Sequence, residues 1–171
     1  MSEPRNDIGY RIRTYRPADL PRLKEITTLT FGPVSIDRNM EEKLGVFGEG
    51  GWAGRKAAAI DDDCRLQADG VFVAEDPRSG QVVGYVTTRV NSSTKLGWIP
   101  NLAVDPAVQG RGVGRQLLEH ALAFFRQRGM QVAKIETLEQ NPVGQKLYPS
   151  LGFKEVARQI HYAMRLNERP H

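Results

Sequence analysis

Apolar and polar positions recur along this chain with two periods, one of two residues and one near 3.6, and their order predicts the architecture. Residues 10–15, Tyr-Arg-Ile-Arg-Thr-Tyr, alternate and predict a strand. Pro17 and Asp19 then open a helix whose apolar stripe is Leu20, Leu23 and Ile26. Residues 31–68 carry the weakest pattern. Within them 40–47 and 52–66 have helical character, separated by Gly48, Gly50 and Gly51. Residues 71–75 and 82–90 are apolar runs rich in β-branched side chains, joined by Asp76-Pro77-Arg78-Ser79-Gly80. Proline and glycine there suit a tight reversal, so an antiparallel hairpin is expected. A turn at residues 91–94 leads into a strand over 98–104, which stops at Asp105-Pro106.

Farther on, Val113, Leu117, Leu118, Ala121, Leu122 and Phe125 recur at helical spacing, with Arg115, Gln116, Glu119, His120 and Arg126 mostly on the other side. Gly129 is placed as the stop of that helix. Residues 132–138 predict another strand. Asn141-Pro142 starts a short helix, with proline in the first turn, where its missing N–H costs nothing. That helix ends around Leu151-Gly152, and Pro149 marks a point where a break is expected. Residues 154–166 are expected to supply closing strands. The reading is a chain of the α/β class, a mixed, mostly antiparallel sheet of six to seven strands with helices on both faces. One domain is expected over residues 10–167, after a flexible start at 1–9 and before a tail at 168–171; no repeat or linker divides it.

Composition narrows this picture modestly. With 40% apolar and 26% charged residues in 171, the chain is of globular type and long enough for one core without staples. The net charge of +4 is spread among interleaved charges, so no nucleic-acid footprint is expected. No apolar stretch approaches the ~18 residues of a membrane helix. The start, Met1-Ser2-Glu3-Pro4-Arg5-Asn6-Asp7, lacks the apolar segment of a secretory signal, so the cytoplasm is the expected location. A single cysteine, Cys64, excludes an internal disulfide and reads as a structural thiol. His120, His161 and His171 stand apart without metal-ligand spacing, and no metal site is expected.

The candidate chemistry centres on Gln109-Gly110-Arg111-Gly112-Val113-Gly114, between a predicted strand and an amphipathic helix. Glycines at alternate positions let a backbone turn sharply and approach a ligand closely. The N–H groups at the start of the following helix then favour an anion, and Arg111 adds formal charge. A phosphate or pyrophosphate fits, although a glycine triplet alone also serves as a plain turn. No lysine followed by serine or threonine succeeds the last glycine, so the loop is not a P-loop. Nor is the glycine spacing that of the dinucleotide fingerprint.

Two linked motifs give the loop a context. Leu102-Ala103-Val104-Asp105-Pro106 followed by residues 109–114 resembles the Q/R-x-x-G-x-G/A segment of the GNAT acetyltransferase superfamily. Asn141, with Leu147-Tyr148 and Leu151-Gly152-Phe153, resembles its second hallmark. The resemblance implies a GNAT fold whose sheet splays between the fourth and fifth strands, here where the strands at Leu102 and Ile135 diverge. It implies that the backbone of Leu102, Ala103 and Val104 pairs with the pantetheine arm of acetyl-CoA. Amides of Gln109, Gly110, Arg111, Gly112, Val113 and Gly114 would hold the pyrophosphate, and Asn141 would contact the cofactor. Locally, Asn141 also reads as a helix N-cap.

The implied reaction is direct acetyl transfer to a primary amine, in a ternary complex and without a metal. Tyr148 is the candidate acid, since a phenol stays protonated at neutral pH and the resemblance puts it beside the sulfur. A core tyrosine anchoring the short helix is the plainer alternative. Many members carry a basic glutamate just before the loop, but Pro100 and Asn101 stand there in this chain. Glu136, twelve residues before Tyr148, is the favoured substitute, with Glu75 or a water relay as alternatives. Acceptor choice falls to residues 27–66 and 158–166, with His161 and Tyr162 near the acceptor end. A small-molecule amine is expected, with a protein N-terminus or lysine as alternative, and a homodimer is expected from the family. A non-catalytic acyl-CoA sensor and a nucleotide-binding domain are the competing classes.

Overall fold

The computed structural model describes residues 9–167. The expected start, apart from Gly9, and the tail at 168–171 lie outside the described residues. Strand β1 (Arg11–Thr14) leads into α1 (Leu20–Thr30), and α2 (Ile36–Leu44) and α3 (Gly51–Leu66) follow. The hairpin is β2 (Val71–Glu75) and β3 (Val82–Thr87), continued by β4 (Arg89–Asn91). Next come β5 (Leu96–Ile99), β6 (Leu102–Val104), α4 (Val113–Gln127), β7 (Val132–Ile135) and α5 (Pro142–Ser150).

One long hairpin organises the sheet. Its first arm, β3 and β4, is interrupted at Thr88, and its second, β5 and β6, at Pro100 and Asn101. The inner half of the hairpin extends the antiparallel order β1-β2-β3-β6, whereas the outer half belongs to the order β4-β5-β7. β7 runs parallel to β5, pairing Leu96 with Val132 through Ile99 with Ile135. Beyond Ile99 the two part, because β6 follows β3 and no described strand pairs with its other edge. This is the splay that the resemblance implies.

Two apolar layers enclose the inner strands. On one face α1 and α3 bring Leu23, Ile26, Ile60 and Cys64 against Val71, Val73, Tyr85 and Ala103. On the other, α4 packs Val113, Leu117, Leu118, Ala121 and Phe125 onto Phe72, Ala74, Val83 and Val86. β2 is covered on both faces, which is why it reads as an unbroken apolar run rather than an alternating one. Fully burying each large aliphatic side chain contributes about 1.5–3 kcal/mol. Ile99 and Leu102 both face the α4 layer, whereas Asn101 and Ala103 turn toward α3. Same-face residues three apart in a two-residue period mean that the strand carries one extra residue, a bulge at Pro100 and Asn101.

Two expectations need correction. The proline at 149 does not break α5, which runs on to Ser150, because Pro149 falls in the last turn and removes a single backbone bond. Residues 154–166 form no strand. Their side chains are anchored elsewhere: Arg165 donates to Leu44 O at 2.7 Å and Val46 O at 2.9 Å, and Arg158 pairs with Glu139 at 2.8 Å. Val156, Ile160, Tyr162, Met164 and Leu166 consequently stay 64–94% exposed. Alternation predicts a strand only where a free edge lies alongside it.

Candidate active site

The chain turns from β6 into α4 through residues 105–112. Asp105 caps a 3₁₀ turn at Pro106–Val108 by accepting from Ala107 N at 2.8 Å, and is itself held by an ion pair with Arg22. Gln109 Nε2 donates back to Val104 O at 3.0 Å, fixing the loop to the strand it leaves. Gly110 and Gly112 have φ of +78° and +83°, which β-carbon-bearing residues rarely adopt, and open space surrounds the position of each absent Cβ. Gly112 caps α4 with no side chain to satisfy the first-turn N–H groups. The amides at the head of this 15-residue helix are therefore available to an anion. Gly114 lies inside the turn, where a Cβ would sit 3.5 Å from Leu147 and 3.7 Å from Val104, so α4 starts close against β6 and α5.

From this cradle the unpaired edge of β6 runs back toward the bulge. Asn101 O accepts from Thr87 N at 2.9 Å and Asp105 N donates to Val83 O at 2.8 Å. By the alternation of an antiparallel pair, the backbone groups of Leu102 and Val104 point away from β3, into the splay. An extended ligand can add there as a strand. With its phosphates at residues 109–114, such a ligand has its far end at Asn101. The hollows lined by His120, Phe72 and Phe124, and by Leu122, Phe125 and Met130, both lie away from this groove.

Across the splay, α5 carries Asn141 and Tyr148. Asn141 is the helix N-cap: Oδ1 accepts from Gly144 N at 3.3 Å and Nδ2 donates to Thr137 Oγ1 at 2.9 Å. Tyr148 packs edge-on to Phe153, and burial pushes its phenol up to about 12. Among the described residues its hydroxyl makes no hydrogen bond, which leaves the proton free to be given to a ligand. Sequence reasoning missed Gly144. A Cβ there would meet Thr137 Oγ1 at 2.8 Å and both Asn141 Nδ2 and Tyr148 Cε2 at 3.0 Å. This glycine lets the cap and the phenol sit side by side, and its only sequence signal was a glycine inside a helix.

Glu136 lies on the opposite face from α4. Arg89 pairs across to Trp98, and Trp98 to Lys134, so these side chains share one face. Arg89 reaches Asp63 of α3 at 2.6 Å, which identifies it as the α3 face. Glu136 accepts from Trp98 Nε1 at 3.0 Å and pairs with Lys134 at 2.6 Å. Glu75 is not brought to the groove; it ends β2, two strands from β6, and is held by Arg13 at 2.7 Å. Cys64 is buried on the inner face of α3, and burial pushes its thiol up to about 11, so it is protonated at neutral pH. His120 packs edge-on against Phe72, far along α4 from the loop. His161 and Tyr162 lie in the exposed segment after α5.

A second network, also unread from sequence, holds the bulge. Asp63 is 2% exposed and accepts from Thr87 Oγ1 and Asn101 Nδ2, both at 2.7 Å, as well as from Arg89. Asn101 Oδ1 in turn accepts from Lys56 Nζ at 2.7 Å. Arg89 Nε, among the described residues, is the one buried side-chain polar atom without a partner.

Comparison with known proteins agrees with this geometry. Residues 38–153 match the model of the acetyltransferase (GNAT) family. A mycothiol acetyltransferase from Salinispora tropica is 31% identical over 168 residues, covering 96% of this chain and 51% of the relative. The chain spans about half the length of the curated relatives it matches. Among solved structures, YncA of Salmonella typhimurium with acetyl-CoA has a TM-score of 0.66 at 23% identity, covering 94% of this chain and 88% of that one. A Brucella melitensis GNAT acetyltransferase in complex with acetyl-CoA has a TM-score of 0.61 at 24% identity, covering 86% and 84%. With its glycine cradle, free strand edge and splayed sheet, this chain belongs to the GNAT acetyltransferase family.

Proposed function

We propose that this chain transfers an acetyl group from acetyl-CoA to the primary amine of a small molecule by direct attack. The observation that carries the reading is the continuity of three features. An open anion cradle at the head of α4 leads into the unpaired edge of β6, and α5, whose Leu147 lies with Val104 of β6 against Gly114, carries the unbonded phenol of Tyr148. In this reading the amides of Gln109 to Gly114 hold the pyrophosphate, Leu102 and Val104 pair with the pantetheine arm, and Asn141 closes the cofactor side. The attacking amine must be neutral, its nitrogen bonding to the thioester carbon as the carbon–sulfur bond breaks. Tyr148 gives its proton to the departing thiolate. Glu136, at the outer rim of the α3 face, is the carboxylate through which the amine's proton leaves to solvent.

A small acceptor is supported by the named activity of the curated relatives. The proposal includes a homodimer. The alternating apolar side chains of residues 160–166 are exposed over a stretch that a second copy would cover, and light scattering across a dilution series tests this. For the activity, calorimetry with acetyl-CoA, CoA and ATP is paired with thiol release over a panel of primary amines. Tight ATP binding without CoA binding sinks the proposal. Acetyl-CoA binding without turnover on any amine favours a sensor, and turnover confined to peptide amines moves the acceptor to a protein.

A further inference from the structure

The α3 side of the bulge holds a lysine that no ion pair among the described residues accounts for. Lys56 Nζ donates to the neutral Asn101 Oδ1 at 2.7 Å and lies 4.2 Å over the ring of Phe31, at the end of α1. The surrounding charges are already matched. Asp37 of α2 is taken by Arg55 at 3.1 Å, and Asp63 of α3 by Arg89 of β4 at 2.6 Å. One N–H of Lys56 is thus committed to Asn101 and one side of the nitrogen is covered by an aromatic face. Among the described residues Lys56 Nζ makes no other hydrogen bond. Asn101 is also where the free edge of β6 begins, and so where the acyl end of an extended cofactor arrives.

We infer that Lys56 is the group that receives the proton from the attacking amine, standing in for the carboxylate that is missing at Pro100 and Asn101. The inference rests on the acetyl-transfer reading above. As the amine nitrogen bonds to the thioester carbon and the carbon–sulfur bond breaks, the excess proton on nitrogen passes to neutral Lys56 Nζ. The thiolate takes its proton from Tyr148, whose phenolate recovers one from solvent, and Lys56 then returns its own to solvent. Burial holds the Lys56 ammonium below its ordinary value, against the fields of Asp37 and Asp63, which act in the other direction. Asp63 and Asn101 are positioning residues here, since each acts by holding Lys56 at the bulge.

Two measurements test the assignment on the full chain. In the first, lysines are reductively methylated with ¹³C, and the resonance missing from K56R is followed with pH; it is expected to titrate below the other lysine resonances of the same sample. Titration together with them overturns the inference. In the second, thiol release with a turned-over amine is followed against pH for wild type, K56M and K56R. Both variants are expected to lose about 10²-fold in turnover with KM for acetyl-CoA unchanged, because arginine keeps the charge and a donor but cannot accept a proton. Recovery of wild-type turnover in K56R would show a purely structural cation and overturn the inference alone. A wild-type chain that binds acetyl-CoA yet turns over no amine overturns the acetyl-transfer reading and this inference with it.

Discussion

Asn101 Nδ2 donates to Asp63 Oδ2 over 2.7 Å, so a buried carboxylate on α3 grips the residue at which the strand entering β6 bends. The grip explains how an extra residue is kept in an otherwise regular strand. Thr87 Oγ1 donates to Asp63 Oδ2 and accepts from Asn101 N, closing a ring of hydrogen bonds around the bulge. Replacing Asp63 by alanine strands an asparagine amide, a threonine hydroxyl and an arginine. The expected cost is about 3 kcal/mol, read as a lower urea midpoint at unchanged slope. D63N, which keeps the shape but not the charge, is expected to fall between D63A and wild type.

The cradle makes a separate prediction. Gly112 sits at φ +83° with open space where a Cβ would stand, so alanine there meets no clash and only backbone strain opposes it. That strain is about 1–2 kcal/mol in the left-handed region. If relieved by rotating the peptide, it turns the first amides of α4 away from the anion. G112A is expected to weaken acetyl-CoA binding about tenfold by calorimetry while the far-ultraviolet spectrum stays the same. Undiminished affinity would remove the loop from the pyrophosphate site.

Tyr148 and Gly144 form a pair of predictions with different signatures. Y148F removes only the hydroxyl and is expected to lower turnover by roughly 10²-fold with acetyl-CoA affinity nearly intact. Since the phenol titrates near 12, it adds no alkaline limb to the wild-type rate profile below about pH 11. G144A, by contrast, drives a methyl into Thr137, Asn141 and Tyr148 at once, and is expected to lower both cofactor affinity and turnover. An active G144A with unchanged affinity would mean that the cap and the phenol are not set by that contact.

The parts of this molecule that sequence made legible are those governed by a local rule. Leu117, Leu118 and Ala121 repeat at helical spacing and are fully buried on α4, and Gly129 stops that helix with φ +71° as expected. The loop at Gln109 to Gly114 and the cap at Asn141 were equally readable, because turn and cap chemistry is written within a few residues. What escaped were relationships between distant residues. Asp63 and Lys56 sit on a helix whose pattern is weak and reach the bulge from 38 and 45 positions away in the chain. The edge that residues 154–166 were expected to find is a matter of where Arg158 and Arg165 anchor, which alternation does not encode.

Alkaline pH offers a test of the core that is independent of any ligand. Cys64 titrates at 9.0 in an unfolded chain and at about 11 here; Tyr148 moves from 10.0 to about 12, and Tyr85, buried and hydrogen-bonded to Thr27, moves up as well. Raised values for acids mean that the folded chain holds protons the unfolded chain has released. Stability from these groups is therefore complete below pH 9 and is lost as pH climbs through 9 to 12. Cys64 alone accounts for roughly 2 kcal/mol of that loss by pH 11. Urea titrations at pH 8 and pH 10.5 should show a smaller drop for C64A than for wild type, even though the variant starts slightly weaker from the packing it gives up. The same variant should keep wild-type turnover at pH 8, because a protonated thiol buried on α3 takes no part in direct transfer. A covalent acetyl group trapped on Cys64 would overturn that mechanism, whereas an equal pH-dependent drop in both proteins would show that the thiol is not held protonated by its burial.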